Sequence, residues 1–259
     1  MSTRLVAIVV DAADPAAAAR WWSQALSWPI SLEELDEVVV VPFGTDLEGK
    51  VPELIFVPVP EAKVTKNRVH LDLASDSIED QAAIVERLLA AGATRADVGQ
   101  SGDESWVVLA DPEGNEFCVL LGHGDGGPLS AVCLDVLDHR AQARFWVAAS
   151  GWRIVDQDDD GTILASPSNR RPTLDLLQVP EAHAVKNRIH LDVAPPEDAD
   201  QDAEVARLVA LGATQVDVGQ TGDESFVVLA DPEGNEFCVL SSREIPGLSP
   251  GRDGNRTRQ

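Results

Sequence analysis

Apolar residues recur along this chain with two periods, and the switches between them outline its elements. Leu5 to Val10 is a β-branched apolar run that reads as a strand. Asp14-Pro15 then offers an N-cap followed by proline at the first helical position, and Ala18, Trp21, Trp22 and Ala25 form the apolar stripe of a helix reaching about Leu26. Strands are predicted around Ile30, over Val38 to Val41 and over Leu54 to Val59, which gives the order β-α-β-β-β. The same order then returns. Arg68 to Ala74 reads as a strand, Ile78 to Ala91 as a helix closed by Gly92, and Thr94 to Val98, Ser105 to Ala110 and Glu116 to Leu121 as strands. Between the last two, Asp111-Pro112-Glu113-Gly114-Asn115 is a turn by composition.

A longer repeat overlies this one. Displacing the sequence by 120 positions lays Lys66 to Leu120 over Lys186 to Leu240 with 39 of 55 residues identical. At an offset of 124, Asp11, Arg20, Trp22 and Trp28 fall on Asp135, Arg144, Trp146 and Trp152, with Trp21 opposite Phe145. The expected organisation is α+β: four βαβββ modules in two tandem domains, 1–122 and 128–242, joined by the glycine-rich stretch Gly122 to Pro128. Residues 243–259, poor in apolar side chains, read as a flexible tail.

A four-stranded module with one helix covers one face of its sheet, so the side chains of the other face decide what that face meets. In Val69-His70-Leu71-Asp72-Leu73, alternation sends Val69, Leu71 and Leu73 to the helix and His70 with Asp72 to the opposite side. Phe117 and Val119 likewise face the helix, while Glu116, Cys118 and Leu120 face the hollow, with Trp106 lining it from the neighbouring strand. The second copy repeats the set as His190, Asp192, Phe226, Glu236 and Cys238. Imidazole, carboxylates, a thiol and an aromatic ring together suit a ligand cavity better than a closed core. The tryptophans and Phe145 at helical spacing are expected in the core, and the Lys66-Asn67-Arg68 and Lys186-Asn187-Arg188 runs in strand-entry ion pairs.

Charge narrows the partners. With 20 Lys+Arg against 44 Asp+Glu the formal charge is −24, which repels nucleic acid and anionic lipid surfaces and leaves cationic or neutral small molecules. Three cysteines, Cys118, Cys133 and Cys238, form no disulfide framework, and no leader-like or membrane-length apolar run is present, so a cytoplasmic protein is expected, as monomer or homodimer.

Three features carry a resemblance to a known family: the tandem βαβββ modules, a strand N-R-x-H-L-D after a V-P-E-x-x-x-x-K loop (Val59 to Lys66, Val179 to Lys186), and the closing D-P-E-G-N-E-F-C-V-L. The chain resembles the vicinal oxygen chelate superfamily and is most similar to its glyoxalase-like, bleomycin-resistance and dioxygenase group. The resemblance implies paired modules forming open mixed-sheet barrels, each around a pocket. Metal-dependent members hold a divalent ion through the first and last strands of each module. In the first repeat those positions fall on His70, Cys118, Ala7 and the stretch Ile55 to Val57, and in the second on His190, Cys238, Ala131 and the stretch Asp175 to Leu177. One His and one Cys per domain, with Asp175 as the one extra ligand, fall short of three donors, so no metal centre is expected. A small organic ligand bound by each pocket is the leading expectation; the alternative is a divalent-metal-dependent lyase, isomerase or dioxygenase acting on adjacent oxygens. The sequence singles out no catalytic residue. Cys118 reads as a small buried side chain more readily than as a nucleophile.

Overall fold

The structure, a computed structural model, describes residues 3–43, 51–122, 127–197, 199–222 and 224–242. The expected tail and residues 123–126 of the expected linker lie outside them. Four modules are present. The first contains β1 (Arg4–Ala12), α1 (Pro15–Leu26), β2 (Ile30–Glu33), β3 (Val38–Val40) and β4 (Glu53–Pro58), and the second β5 (Val69–Leu73), α2 (Ile78–Ala90), β6 (Thr94–Arg95), β7 (Val107–Ala110) and β8 (Glu116–Val119). The third contains β9 (Leu129–Val136), α3 (His139–Ser150), β10 (Arg153–Gln157), β11 (Gly161–Ala165) and β12 (Thr173–Gln178), and the fourth β13 (Ile189–Ala194), α4 (Gln201–Ala210), β14 (Thr214–Gln215), β15 (Phe226–Ala230) and β16 (Glu236–Leu240).

Each helix starts where a short polar side chain satisfies its first free amides. The carboxylates of Asp14, Asp138 and Asp200 accept from Ala17, Ala141 and Ala203, and the Ser77 hydroxyl accepts from Asp80. The strand expected over Thr94 to Val98 stops at Arg95 because two side chains recruit the backbone that would have paired: the Gln100 amide oxygen accepts from Val98 N–H and the Asp97 carboxylate from Gly99 N–H. Gly99 sits there at φ +95°, in the left-handed region that favours glycine.

The α+β class and the four modules stand, and the modules pair crosswise. One sheet has the order β14-β15-β16-β13-β1-β4-β3-β2 and joins the first module to the fourth; the other, β10-β11-β12-β9-β5-β8-β7-β6, joins the second to the third. Antiparallel β1·β13 and β5·β9 pairs close the two seams, and within a module the first and last strands run parallel. Each eight-stranded mixed sheet therefore draws its strands from both sequence repeats, and its two end strands leave it open.

Helices hold each repeat together instead. Trp21 and Trp22 of α1 meet Phe117 of β8 edge-on at 5.6 and 5.3 Å, and Arg87 of α2 donates to the carbonyls of Gln24 and Ala25 at the end of α1. The second repeat matches this with Phe145 and Trp146 on Phe237. All four α1 and α3 aromatic side chains are buried in one continuous apolar core shared by both repeats. The D-P-E-G-N turn is part of that joint. Asp111 accepts from the Trp22 indole N–H and from Asn115, while the Glu113 carboxylate accepts from the amides of Ala13 and Asp14 ahead of α1. Lys66 pairs with Asp135 and Lys186 with Asp11, ion pairs that tie the strand entries across the repeats as the charge runs suggested. Among the described residues, no helix is long and apolar enough to cross a membrane.

Candidate functional site

Alternation along β5 and β13 works as expected. Val69, Leu71 and Leu73 are buried on the helix side, and His70 and Asp72 face the hollow, as do His190 and Asp192. Asp72 stands beside Cys118 in the parallel β5·β8 pair, and Asp192 beside Cys238 in β13·β16. In each sheet one imidazole nitrogen, one carboxylate oxygen and one thiol sulfur lie within 4.8 Å of one another: His70, Asp72 and Cys118, then His190, Asp192 and Cys238. His70 Nε2 stands 3.6 Å from Asp72 Oδ1, beyond a good hydrogen bond.

The crosswise pairing changes what surrounds each cluster. His70 sits opposite Cys133 on β9, and Cys133 beside Asp175 on β12. In the other sheet the matching places are Val9, opposite His190, and Ile55 beside it. His70 and Cys118 thus share their sheet face with Cys133 and Asp175, whereas sequence order had grouped them with Ala7 and the stretch Ile55 to Val57. Cys133 was missed as a site residue. It occupies the same face of β9 that alternation assigns to Ala131 and Asp135, but only the strand partner reveals what it meets.

The first cluster of thiols and carboxylates is electrostatically tight. The Cys133 thiol donates to Asp72 Oδ2 at 3.3 Å, and burial followed by the Asp72 charge pushes both the Cys118 and Cys133 thiols up, away from thiolate. Burial raises Asp175 to about 6, against a hydrogen bond from Thr173. Cys238 is raised by burial and then by Asp192, and none of the three cysteines is disulfide-bonded. A nucleophilic thiolate is therefore disfavoured at each position. In the opposite sheet, burial and then the Lys186 charge lower His190 to about 3, so its ring is neutral throughout the physiological range.

Glu116 and Glu236 are engaged by their own loops. Glu116 accepts from Lys63 at 2.6 Å and from the Asn67 amide at 3.1 Å; Glu236 accepts from the Asn187 amide at 3.1 Å and faces His183 at 3.2 Å. Lys63 and His183, absent from the sequence expectation, hold the first residue of each closing strand. Trp106 precedes β7 and is 43% exposed, so much of its ring faces solvent.

A hollow lies against the sheet of the first and fourth modules. Its cavity, about 1050 Å³, is walled by Val9, Val39, Ile55, Phe226 and Val228, with His190, Asp192 and Cys238 at its floor. Carboxylates from Asp36, Glu37, Glu53, Glu224 and Glu236 border it against one cation, Lys186, itself paired with Asp11. Glu224 is held at about 2 by backbone amides of its own loop and so stays ionised.

A divalent ion is what the family resemblance implies, and the donors test it. Three protein donors are the count of a catalytic zinc site, and Asp72 contributes a buried oxygen, Oδ1, without a hydrogen-bond partner. His70, Asp72 and Cys118 fit such an ion. His190, Asp192 and Cys238 offer the same three atoms, with aliphatic side chains where Cys133 and Asp175 stand in the other sheet.

Comparison with known proteins agrees with this architecture. A family described as glyoxalase-like domain matches twice, over residues 7–120 and 131–240. Maize glyoxalase I superposes with a TM-score of 0.64 at 17% identity, covering 93% of this chain and 92% of the maize chain. A candidate dioxygenase from Bacillus subtilis superposes at 0.63 with 14% identity, covering 93% of this chain and 86% of that one. At these identities the likeness is one of fold. No curated protein matches the sequence. Two successive family matches, four βαβββ modules and two open sheets with facing strand-borne polar groups lead to one conclusion: the chain belongs to the glyoxalase-like domain family.

Proposed function

We propose that the protein binds a small organic molecule, cationic or neutral and carrying an aromatic or aliphatic body, in the hollow of the first and fourth modules. The carrying observation is the cavity itself: about 1050 Å³, the upper end of ligand-sized pockets, with an aliphatic and aromatic wall and a border of carboxylates. An apolar body would displace water from Val9, Ile55 and Phe226, while the low local dielectric around buried Asp192 strengthens its pull on a positive group. Phe226 offers its face to either a planar ring or a cation. His190, being neutral, adds no repulsion and contributes one donor and one acceptor nitrogen.

Calorimetric titration with benzyltrimethylammonium, benzyl alcohol and benzoate tests the reading. The cation should bind at least about tenfold more tightly than benzoate at low salt, a gap that narrows as salt rises. Phe226→Ala should weaken the cation by about 1–2 kcal/mol. Benzoate binding as tightly as the cation, or indifference to Phe226→Ala, would overturn it.

A second reading, a divalent-metal-dependent lyase, isomerase or dioxygenase, is favoured by the three-donor clusters. A bound ion would supply Lewis-acid polarisation of adjacent substrate oxygens. The chain's own part would be to hold that ion through His70, Asp72 and Cys118 and to shield it among strands. Isomerisation of the hemithioacetal of an α-oxoaldehyde, or cleavage of a catechol with dioxygen, by metal-loaded protein, abolished by His70→Ala, would support it; no turnover of either would count against it.

A further inference from the structure

We infer that the cleft between the two V-P-E loops is a second binding site, and that its ligand is a short zwitterionic peptide with aliphatic side chains. This is independent of the organic-ligand reading, which concerns a different cavity.

The cleft has a volume of about 840 Å³ and is lined by corresponding stretches of both repeats. Val64 and Val98 line it from the first, Val179 and Val185 from the second, and Val64 is 77% exposed, an aliphatic side chain left in water. Each end carries both signs of charge. Arg188 donates to the carbonyls of Glu61 and Asp11, and Lys186 pairs with the Asp11 carboxylate, which brings Glu61 and Lys186 to one end. Arg68 donates to the carbonyls of Glu181 and Asp135, and Lys66 pairs with Asp135, which brings Glu181 and Lys66 to the other. These bonds cross between the repeats, so the walls are fixed before a ligand arrives.

The arginines are committed to the fold, whereas the lysines and glutamates keep capacity to spare. An ammonium has three N–H donors, and each lysine gives one to its aspartate. The aspartate side chains are only 9% and 6% exposed, while those of Lys66 and Lys186 remain 42% and 39% exposed. The carboxylates of Glu61 and Glu181 are exposed and form no ion pair among the described residues. Spare donors and a spare acceptor therefore stand together at each end.

Charge selects the ligand class. The lining sets Lys66, Arg68, Lys186 and Arg188 against an equal number of carboxylates, so it is neutral within a chain of net charge −24. That net charge repels an anion on approach, and a simple cation would leave the ammonium donors unused. A zwitterion escapes the repulsion and uses both groups: its carboxylate accepts from a lysine and its ammonium donates to a glutamate. The volume is that of a small-ligand pocket and admits a chain of a few residues, whose aliphatic side chains would cover the valines.

Calorimetric titration of the full chain with valyl-alanyl-valine, its N-acetylated form and its C-terminal amide tests the site. The free tripeptide should bind, and each blocked form, lacking one charge, should bind at least about tenfold more weakly. Glu61→Gln combined with Glu181→Gln changes exposed side chains and keeps the carbonyls that hold the arginines, so the fold is preserved. It should weaken the free tripeptide by a similar factor, while the acetylated form, which has no ammonium to place, should bind no worse. Phe226→Ala, in the other cavity, should leave tripeptide binding as it is, so the two sites can fail separately. No binding of the free tripeptide, equal binding of its blocked forms, or indifference to the double glutamine variant would each overturn the inference.

Discussion

Replacing Trp146 with alanine should lower the unfolding free energy by about 4 kcal/mol, a large share of the roughly 5–15 kcal/mol that holds a typical domain. The ring is buried and meets Phe145 and Phe237 edge-on at 5.6 and 5.4 Å, so truncation leaves a cavity between α3 and the Phe237 ring. Its indole N–H also donates to Asp231 Oδ2 at 3.3 Å, within the buried D-P-E-G-N turn. Losing that donor leaves a buried carboxylate short of one hydrogen bond, which adds about 1 kcal/mol. Trp146→Phe separates the two effects, because it restores much of the packing and leaves Asp231 without the indole. Urea unfolding of the three proteins measures this. A loss below about 1 kcal/mol in the alanine variant would show that the turn and helix do not form the joint described.

Asp175→Asn should act in the opposite direction and stabilise the metal-free protein above about pH 6. Burial raises this carboxyl from 3.8 to about 6, so between those values the folded state carries a proton that the unfolded chain has released. Stability therefore falls as pH rises through that window and stays lower above it. The shift corresponds to a cost of about 3 kcal/mol. Asparagine removes the titration at similar volume. The variant should gain up to that amount at pH 7.5, with little change below pH 4. Denaturation midpoints across pH 4 to 8 measure the slope; equal slopes in both proteins would refute the argument.

Local order was legible in the sequence because each element carries its own signature. Asp14-Pro15 marks the start of α1, and the alternation in Val69-His70-Leu71-Asp72-Leu73 sorts the helix-facing from the hollow-facing side chains. The site was half legible for the same reason: His70, Asp72 and Cys118 occupy one face of neighbouring strands of a single module, and sequence repetition extends the set to His190, Asp192 and Cys238. Strand partnership was not legible. β1 and β9 have similar apolar character, so periodicity gives β5 no reason to choose one over the other. The choice places Cys133, rather than Val9, opposite His70. β6 was overextended because the recruitment of Val98 and Gly99 amides by Gln100 and Asp97 depends on side-chain geometry that composition does not encode.

The crossing of modules between repeats has a consequence for how the chain emerges from the ribosome. When residue 122 has been made, β1 and β5 still lack the neighbours on their open flanks, since those are β13 and β9. The newborn first half thus presents two bare strand margins, sites where a second nascent copy could dock by mistake. β5 is relieved first, by β9 at Leu129–Val136, but β1 must wait until β13 at Ile189–Ala194 has been synthesised. Closure of that last seam joins contacts far apart in sequence, and such long-range pairing sets a slow pace for folding.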